Sequence, residues 1–407
     1  MAGAPPAQAR PDAPSIRQLV ERLVRAQRGV NLRGWLTVVS SSPRTPSRTT
    51  VNRVVRRADG SSLTICQGPG PGKGNVSEER DGWVKRYDAQ THTVTINRAL
   101  PVERGEKAIR RDVARILRNY RVTLSDTEIH GGRTFYHLCA DPYEPAGRPV
   151  EVLMDAATGA ERWRLESDRA GNTLGLTTFT DVEYPPSIPP SAVRHTYPKE
   201  ARRAQISRSP MLRSIRAVRQ AAGFEVHLPG YLPRGYEFEH GTVVEVSGRR
   251  IACLIYGDGL ANLTVSQIKP TPGRARGFRQ CRVIDLPLGE VMAYYARESL
   301  NIQVVGHLDP QALALIAESI DPERERRTLQ ALTHRFGASA AELARLRDRG
   351  MGLDALAALA VMRRQTGRSL SALAARLADG DDWRTLASRL HIPAEQVIRS
   401  CRILQAP

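Results

Sequence analysis

The sequence lacks the residue spacings that carry the common hydrolytic and metal-dependent chemistries. It contains no Gly-x-Ser-x-Gly nucleophile elbow, no His-Glu-x-x-His pair and no EF-hand loop. Its nine histidines are scattered, and His130, His137 and His195 would bind a metal only if the fold brought them together. Isolated histidines are more often ordinary strand or surface residues. We therefore predict a protein that is not an enzyme, with no catalytic residue, no metal site and no cofactor.

A glycine-rich stretch, GPGPGKG at residues 68–74, has the composition of a phosphate-binding loop. A phosphate cradle needs successive backbone N–H donors, and Pro69 and Pro71 have none. The residue after Lys73 is Gly, where a phosphate loop has Ser or Thr. The stretch is therefore predicted to be a flexible hairpin loop.

A cavity lined by large apolar side chains is the better-supported kind of site. Such a cavity takes an acyl chain or an apolar peptide segment when few polar groups converge on it. Three of the four tryptophans lie in the first half of the chain, which favours a cavity there. The alternative is that the same side chains only fill a core between a sheet and two helices. The predicted ligand-binding residues are Trp35, Trp83, Val94, Ile96, Phe135, Val152, Met154, Trp163 and Leu165.

The chain is strongly basic, with 60 Lys and Arg against 42 Asp and Glu and a net charge of +18. Such a balance normally suggests nucleic acid or an anionic membrane surface as a partner. Only five of the basic residues are lysines, a bias more typical of genome base composition than of phosphate binding. Without a solid basic block, we do not expect a nucleic-acid partner, and peripheral contact with a membrane stays open.

The start of the chain suggests export. No run reaches the 18 apolar residues of a membrane-spanning helix, and the opening MAGAPPAQARPDAP has neither a basic n-region nor an apolar h-region. It is typical of the residues that remain after a signal peptide is removed, with Ala7-Gln8-Ala9 as a remnant of the cleavage site. We predict a periplasmic or otherwise exported protein whose signal peptide is not present in this chain. The alternative is a cytoplasmic protein with a disordered start.

The five cysteines are far apart and show no CxxC or metal-ligand spacing. They are Cys66, Cys139, Cys253, Cys281 and Cys401. Each lies in an apolar context and is predicted to be a small buried hydrophobic residue. A disulfide between Cys253 and Cys281 is the alternative.

Hydrophobic spacing predicts two helices among many strands in the first half of the chain. Residues 15–28 and 106–119 repeat apolar side chains at helical spacing. The segments between and after them alternate apolar and polar residues, as half-buried strands do. We expect residues 15–184 to form one curved antiparallel sheet with both helices on its concave side. Trp163 and Leu165 should then point away from the face of Arg162, Arg164 and Glu166.

Composition divides the chain into four parts. The stretch 185–210 is rich in Pro, Ser and Arg and is predicted to be a linker that cannot pair in a sheet. Helical and strand spacings are mixed after it, and only helical spacing remains from residue 322. The predicted parts are 10–184, a sheet domain; 185–210, the linker; 211–321, a smaller α+β domain; and 322–407, an all-α bundle.

The helical tail admits two interpretations. Ser339 and Glu342 form a capping box before Leu343 and Leu346, and short connections between helices predict a compact bundle. Residues 383–404 have the length of a helix-turn-helix, in which Arg399 and Arg402 could face phosphates. Residues 325–407 carry 14 Arg and 8 acidic residues, a net charge of +6. In an exported protein the tail would instead dock a protein.

Two modules of the chain resemble the MucB/RseB family of periplasmic regulators, whose first domain has the LolA-like envelope fold. In the first module a Gly-Gly-Arg turn precedes a Pro and then a strand that ends in Asp-x-x-Thr-Gly. In the second, a Leu-Pro-Gly-Tyr-Leu-Pro stretch is followed by Tyr-Gly-Asp-Gly-Leu-Ala and a closing Val-Gly-His-Leu. The matching stretches are 129–133, Pro142, 152–159, 224–236, 256–261, 305–308 and 313–320. Together the two modules cover roughly 300 residues in the order of the family, while the helical tail departs from it.

The resemblance implies an α+β fold with three parts. These are a LolA-like curved and unclosed antiparallel sheet over helices, a smaller α+β domain, and an all-α C-terminal bundle. It also implies a non-catalytic envelope regulator or carrier that binds a lipid or peptide ligand and docks a protein partner. In the family the partner is an anti-sigma factor in sigma-E envelope-stress signalling. The rival hypothesis is a cytoplasmic DNA-binding protein that uses the C-terminal helix-turn-helix.

Overall fold

A computed structural model of the chain describes residues 14–42, 45–70, 72–270, 281–286, 290–297, 300–378 and 383–398. These residues form a large sheet with two helices, a smaller sheet with two more helices, and a C-terminal group of helices that includes a short helical stretch at 394–398. The predicted α+β fold class, with an unclosed antiparallel sheet followed by a smaller α+β part and a helical tail, is confirmed.

The first sheet has twelve strands in the order β12-β6-β5-β4-β3-β2-β1-β11-β10-β9-β8-β7. Strands β1 to β11 pair only antiparallel with one another, as predicted for residues 15–184, and β7 and β12 are the two edges, so the sheet is not closed. The strands are β1 (Leu32–Ser42), β2 (Thr45–Arg56), β3 (Ser62–Cys66), β4 (Val76–Arg80), β5 (Trp83–Asp88), β6 (Thr93–Arg98), β7 (Tyr120–His130), β8 (Arg133–Pro142), β9 (Val150–Asp155), β10 (Glu161–Ser167), β11 (Thr173–Glu183) and β12 (Arg202–Gln205).

Helices α1 (Ile16–Gly29) and α2 (Glu106–Asn119) pack on one face of this sheet. Ser15 caps α1 in a reciprocal capping box with Gln18, which satisfies backbone N–H groups that the first turn leaves unpaired. Leu19 and Leu23 pack against the sheet, while neighbouring apolar residues of α1 pack against α2. The helical spacing of apolar residues therefore forms the core that it predicts.

The prediction that residues 185–210 cannot pair in a sheet is wrong. A 3₁₀ turn at Pro190–Val193 packs on the first sheet, and β12 forms a short parallel ladder with β6. The two residues of β13 (Ser207–Arg208) then pair with the second sheet. β12 lies at a sheet edge and contains no proline, so the composition that argues against a central strand does not forbid an edge strand.

The second sheet has seven strands in the order β13-β14-β15-β16-β19-β18-β17. Helix α3 (Ile215–Ala222) packs on β14 and β15, and α4 (Pro310–Glu318) packs on β18 and β19, around a core that includes Tyr256 and Leu313. The remaining strands are β14 (Glu237–Val246), β15 (Arg249–Gly257), β16 (Asn262–Ile268), β17 (Arg282–Asp285), β18 (Val291–Ala296) and β19 (Asn301–Gly306).

The tail is helical, as predicted, and contains a repeat. Its helices are α5 (Pro322–Phe336), α6 (Ala340–Asp348), α7 (Leu353–Thr366), α8 (Leu370–Ala378) and α9 (Trp383–Arg389). Helices α6 and α8 begin at residues 340 and 370, and the buried Leu356 of α7 and Leu386 of α9 are also thirty residues apart, so two helix pairs follow each other with a thirty-residue offset. Contacts of α6 with α8 and of α7 with α9 stack the pairs around one core. Arg399 and Arg402 lie outside the described residues.

The cysteines that the structure describes, Cys66, Cys139, Cys253 and Cys281, are free and half-buried. The alternative of a disulfide between Cys253 and Cys281 is therefore wrong, while half-burial agrees only in part with the prediction of buried residues. Cys401 lies outside the described residues.

Candidate functional site

The first sheet has two distinct faces, and its strand register shows which residues share each of them. Val150, Val152 and Met154 of β9 lie on the face that packs under α1, which we call the helix face. Successive strand residues point to opposite faces, so Leu153 points to the other side, which we call the open face. Leu153 is paired with Trp163 of β10.

Seven of the nine predicted ligand-binding residues lie on the open face. Trp163 is paired with Thr178, Thr178 with Thr37, and Thr37 is two residues from Trp35. Residues paired across a ladder project to the same side, so pairing continues this face across the sheet to Val94. The open-face members are Trp35, Trp83, Val94, Ile96, Phe135, Trp163 and Leu165.

The other two predicted residues, Val152 and Met154, fill the core of the helix face. Both are buried against Leu19 and Leu23 of α1, and Met154 has no exposed surface. The space between this part of the sheet and its helix is therefore packed with side chains. A ligand bound between the sheet and its helices would have to displace them, so at Val152 and Met154 the core alternative is the one that the packing supports.

The predicted residues of β5 and β6 lie under the segment that follows the first sheet. Val94 belongs to a core with Val193 and Ala201, and Ile96 packs against the same core. The Tyr197 hydroxyl donates to the buried carboxylate of Glu78 at 2.9 Å, which fixes this segment on the open face. Trp83 lies at the exposed end of β5, where Arg98 stacks on its ring.

The remaining part of the open face forms a cavity of about 480 Å³ at the end of strands β7 to β11. Phe135 and Trp163 line it, together with Leu153, whereas the half-buried Trp35 and Leu165 are not part of its lining. The full lining is Glu128, His130, Gly131, Arg133, Phe135, Leu153, Arg162, Trp163, Val182 and Tyr184. Sequence reasoning found two members of this cavity and missed its polar rim, because turn residues and charged residues show no apolar spacing.

The rim of the cavity carries positive charge. Arg133 is paired with the buried carboxylate of Asp155 at 2.8 Å and stacks on the Tyr184 ring. Arg162 has no carboxylate within 4.0 Å among the described residues. Burial, followed by the nearby charge of Asp155, raises the pKa of Tyr184, so this hydroxyl keeps its proton. An apolar wall beside an unpaired guanidinium suits a ligand with an apolar chain and an anionic group.

The three histidines considered as metal ligands lie in different environments. His130 is 2.6 Å from Glu128, the His195 ring packs on Tyr197, and the His137 ring lies 5.0 Å from the ring of Trp163. Their separate contacts argue against one site formed by all three.

A buried junction joins the two sheets on the side away from the cavity. The loop after β15 carries Asp258, which accepts hydrogen bonds from the Tyr120 hydroxyl at 2.6 Å and from the backbone N–H of Ala261 at 2.8 Å. Leu260 of the same loop packs into the cores of the helix face. Burial raises the pKa of Asp258, although these hydrogen bonds oppose the change.

Strand β10 connects the cavity to this junction. Trp163 faces the cavity, while the next residue, Arg164, points to the helix face and donates to the backbone oxygen of Leu260 at 3.0 Å. Two residues further, the Glu166 carboxylate lies 2.9 Å from Nδ1 of His307, the residue that follows β19 of the second sheet. The predicted opposition of Trp163 to Arg164 and Glu166 is therefore confirmed. The prediction that Arg162 shares their face is wrong, because the ladder with β9 shifts register between Glu161 and Trp163 and Arg162 lines the cavity beside Trp163. A displacement of Trp163 in the cavity and a displacement of Arg164 or Glu166 at the junction would therefore both move β10.

No family model matches the chain, and no curated protein matches it. Two solved structures that contain MucB share its fold. One is the MucA/MucB complex of Pseudomonas aeruginosa, with a TM-score of 0.51 and 16% identity over 75% of this chain and 98% of MucB. The other is MucB in complex with MucA(peri), with a TM-score of 0.52 and 15% identity over 76% of this chain and 99% of MucB. The MucB-type fold predicted from the two sequence modules is therefore confirmed.

Proposed function

We propose that the chain is a non-catalytic regulator of the bacterial envelope that binds a protein partner, as MucB binds MucA. The observation that carries the proposal is that the fold extends over nearly all of MucB in structures that contain MucA. The partner we propose is the extracytoplasmic part of an anti-sigma factor. The place of action is the periplasm, and cell fractionation of the full-length product is its direct test.

None of the described helices is long and apolar enough to cross a membrane.

Binding of the partner can be tested with purified proteins. The full chain would be titrated by calorimetry with the extracytoplasmic domain of each anti-sigma factor from the same organism, and with the cytoplasmic domains as controls. We expect one saturable complex with a Kd on the order of 1 µM or lower. Absence of binding to every extracytoplasmic domain at about 100-fold higher concentration, or equal binding to the cytoplasmic controls, would contradict the proposal.

We further propose that the open-face cavity binds the ligand that regulates this partner. Its volume lies within the range of about 300 to 1,000 Å³ that is usual for small-molecule sites. Phe135, Leu153 and Trp163 would contact an acyl chain or an apolar side chain, and Arg162 would pair with a carboxylate or phosphate. The position of Trp163 and Glu166 on one strand supports transmission from the cavity to the second sheet.

Tryptophan emission should report on the cavity. We would titrate the full chain with oleate and with lysophosphatidylglycerol, and we expect a saturable change that Trp163→Phe abolishes and Trp383→Phe, in the tail, leaves intact. Arg162→Gln should weaken binding by about tenfold, the usual contribution of a hydrogen bond to a charged group. A response that survives Trp163→Phe would place the ligand elsewhere, and no saturable response would remove the cavity from the proposal.

A further inference from the structure

Three metal-binding side chains converge on the open face between strands β8 and β9. His137 and Cys139 are two residues apart on β8, and Glu151 of β9 lies opposite Cys139 in the ladder. One donor atom from each residue lies within 4.8 Å of the other two. Nε2 of His137 is 2.9 Å from the Glu151 carboxylate and 4.0 Å from Sγ of Cys139.

The imidazole of His137 is oriented for a ligand at Nε2. Its other nitrogen, Nδ1, lies 3.0 Å from the hydroxyl of Ser125 on the neighbouring strand β7. In metal sites a histidine ligand usually donates its second N–H to such an outer partner, which fixes the ring and its tautomer. The Trp163 ring packs edge-on against the same imidazole at 5.0 Å. The side chain of His137 is 20% exposed and that of Glu151 is 39% exposed, so the donors are supported on one side and accessible on the other.

We propose that His137 Nε2, Cys139 Sγ and the Glu151 carboxylate bind a divalent transition metal ion, with Zn²⁺ as the best match. An imidazole nitrogen, a thiolate and a carboxylate form a typical donor set for this ion. Bond lengths of about 2.0 to 2.3 Å in a tetrahedral site would place the donors roughly 3.3 to 3.7 Å apart. The observed separations of 2.9 and 4.0 Å require only small side-chain shifts.

Charge balance agrees with a dication. Binding of Zn²⁺ forms a Zn–S bond and releases the thiol proton of Cys139 to solvent, because the thiolate is the ligand. Thiolate and carboxylate together then neutralise the ion. Three protein ligands leave a fourth position for water or for a ligand.

The metal site is independent of the proposed function, although it adjoins the cavity. Trp163 contacts His137 and lines the cavity, so one fluorophore reports on both places. A metal ligand is tested by the loss of binding in His137→Ala, a change that does not remove a cavity-lining residue. Failure of the metal site would leave the fatty-acid titration and the anti-sigma experiment unaffected.

The reduced full chain would be titrated with Co²⁺ and with Zn²⁺ against a chromophoric chelator. We expect one equivalent of Zn²⁺, a sulfur-to-Co²⁺ charge-transfer absorption that Zn²⁺ displaces, and quenching of tryptophan emission by Co²⁺ that Trp163→Phe removes. His137→Ala, Cys139→Ser and Glu151→Gln should each weaken Zn²⁺ binding by more than about 100-fold, because even outer partners contribute about 10- to 100-fold. Ser125→Ala, which removes the outer partner of His137, should weaken Zn²⁺ binding by about 10- to 100-fold.

Matched controls separate this site from adventitious binding. Cys66→Ser removes a half-buried thiol of β3, and His195→Ala removes an imidazole of the segment that follows the 3₁₀ turn; both should leave Zn²⁺ affinity unchanged. Circular dichroism of each variant would establish that it is folded, and Glu151→Gln keeps the shape of the side chain if a more drastic variant unfolds. Absence of stoichiometric binding, or binding that the three ligand variants do not weaken, would overturn the proposal.

Discussion

At the scale of single residues, a charged cluster on the helix face stabilises the contact between the two sheets. The Glu166 carboxylate lies 2.9 Å from Nδ1 of His307 and accepts a hydrogen bond from Arg164 at 3.1 Å. Burial raises the pKa of Glu166, but the hydrogen bonds and charges of these partners outweigh it and lower the pKa to about 2. The ionised carboxylate is therefore part of the folded structure.

The lowered pKa predicts a specific loss of stability in acid. In the folded chain Glu166 binds a proton less readily than in the unfolded chain, so its contribution is present above pH 4.5 and is lost as the pH falls towards 2. A shift of this size corresponds to about 3 kcal/mol, as an order of magnitude. Glu166→Gln should remove most of this contribution at pH 7 and flatten the dependence of the free energy of unfolding on pH between 4.5 and 2. Urea unfolding of the wild type and of Glu166→Gln at several pH values would measure this pH dependence. Parallel curves for the two proteins would contradict the assignment.

Met154 and Leu165 provide a second test at the residue scale, because they lie on opposite faces of the first sheet. Met154 is fully buried under α1, and its replacement by Ala should cost about 2 to 5 kcal/mol. Leu165 is only half-buried on the open face, so Leu165→Ala should cost less than half of that amount. Denaturant midpoints of the two Ala variants compare their losses of stability.

Met154→Arg, which buries an unpaired charge, should unfold the domain whether or not a ligand is present. Equal costs for the two Ala variants would mean that the faces are assigned incorrectly.

At the scale of elements, tight turns set the register of the strands. Gly132, in the β7–β8 turn, and Gly159, in the β9–β10 turn, have φ values of +76° and +74°, in the left-handed region that glycine adopts without strain in hairpin turns. Gly132 has no atom within 4 Å of an added Cβ, whereas a Cβ at Gly159 would be 2.6 Å from the backbone oxygen of Arg22 in α1. The second turn is therefore also a contact between the sheet and its helix.

The two turns form a matched pair of substitutions. Gly132→Ala adds only the strain of a left-handed backbone, about 1 to 2 kcal/mol. Gly159→Ala adds a steric clash with α1 and should cost about 1 to 3 kcal/mol more. Thermal unfolding of both variants measures the difference. If Gly159→Ala is no less stable than Gly132→Ala, then α1 does not pack against this turn as described.

The helices of the tail were predicted from the sequence, but the thirty-residue repeat of these helices was not. Ser339 and Ser369, thirty residues apart, precede α6 and α8, and Leu343 and Leu373 are buried at the same offset. A comparison of the tail with itself at that offset would have predicted the repeat. Alanine and leucine occur throughout these helices, and this composition hides the period.

At the scale of the whole molecule, the positive charge of the tail would attract DNA. We expect residues 325–407 in the intact chain to bind duplex DNA no better than their net charge of +6 allows, with an affinity that falls steeply with salt and shows no sequence preference. Fluorescence anisotropy with several duplexes at increasing salt measures both properties. A preference above roughly 10³ for one sequence at physiological salt would favour the rival DNA-binding hypothesis.

The division of the chain into domains is a second property of the whole molecule. We propose that 10–184 and 211–321 are the two sheet-containing domains and that 322–407 is the bundle. The stretch 185–210 connects them and is itself fixed to both sheets. Limited proteolysis should therefore spare residues 190–205, although their composition resembles that of a free linker. Early cleavage there would contradict the contacts with the first sheet.

Local patterns in the sequence were sufficient for most elements. Helix α2 has the predicted bounds and α1 differs from the predicted 15–28 by one residue at each end, because helical spacing is a property of neighbouring residues. Strand β4 lacks the apolar–polar alternation on which the strand prediction depends: its sequence, VSEER, is mostly charged, and its buried Glu78 is stabilised by distant partners, including Tyr197. The alternation of Trp163 with Arg164 and Glu166 was likewise local and was predicted correctly.

The location of the candidate sites was decided by the tertiary structure. The sequence could place Met154 and Trp163 on strands, but only the packing of α1 shows that one is core and the other lines a cavity. The donors of the proposed metal site come from adjacent strands, and no spacing in the chain brings Glu151 to Cys139. Periodicity determines which residues share a face of their own strand. Which neighbour covers that face depends on contacts between residues far apart in the chain, and these form only when the sheet and its helices pack together.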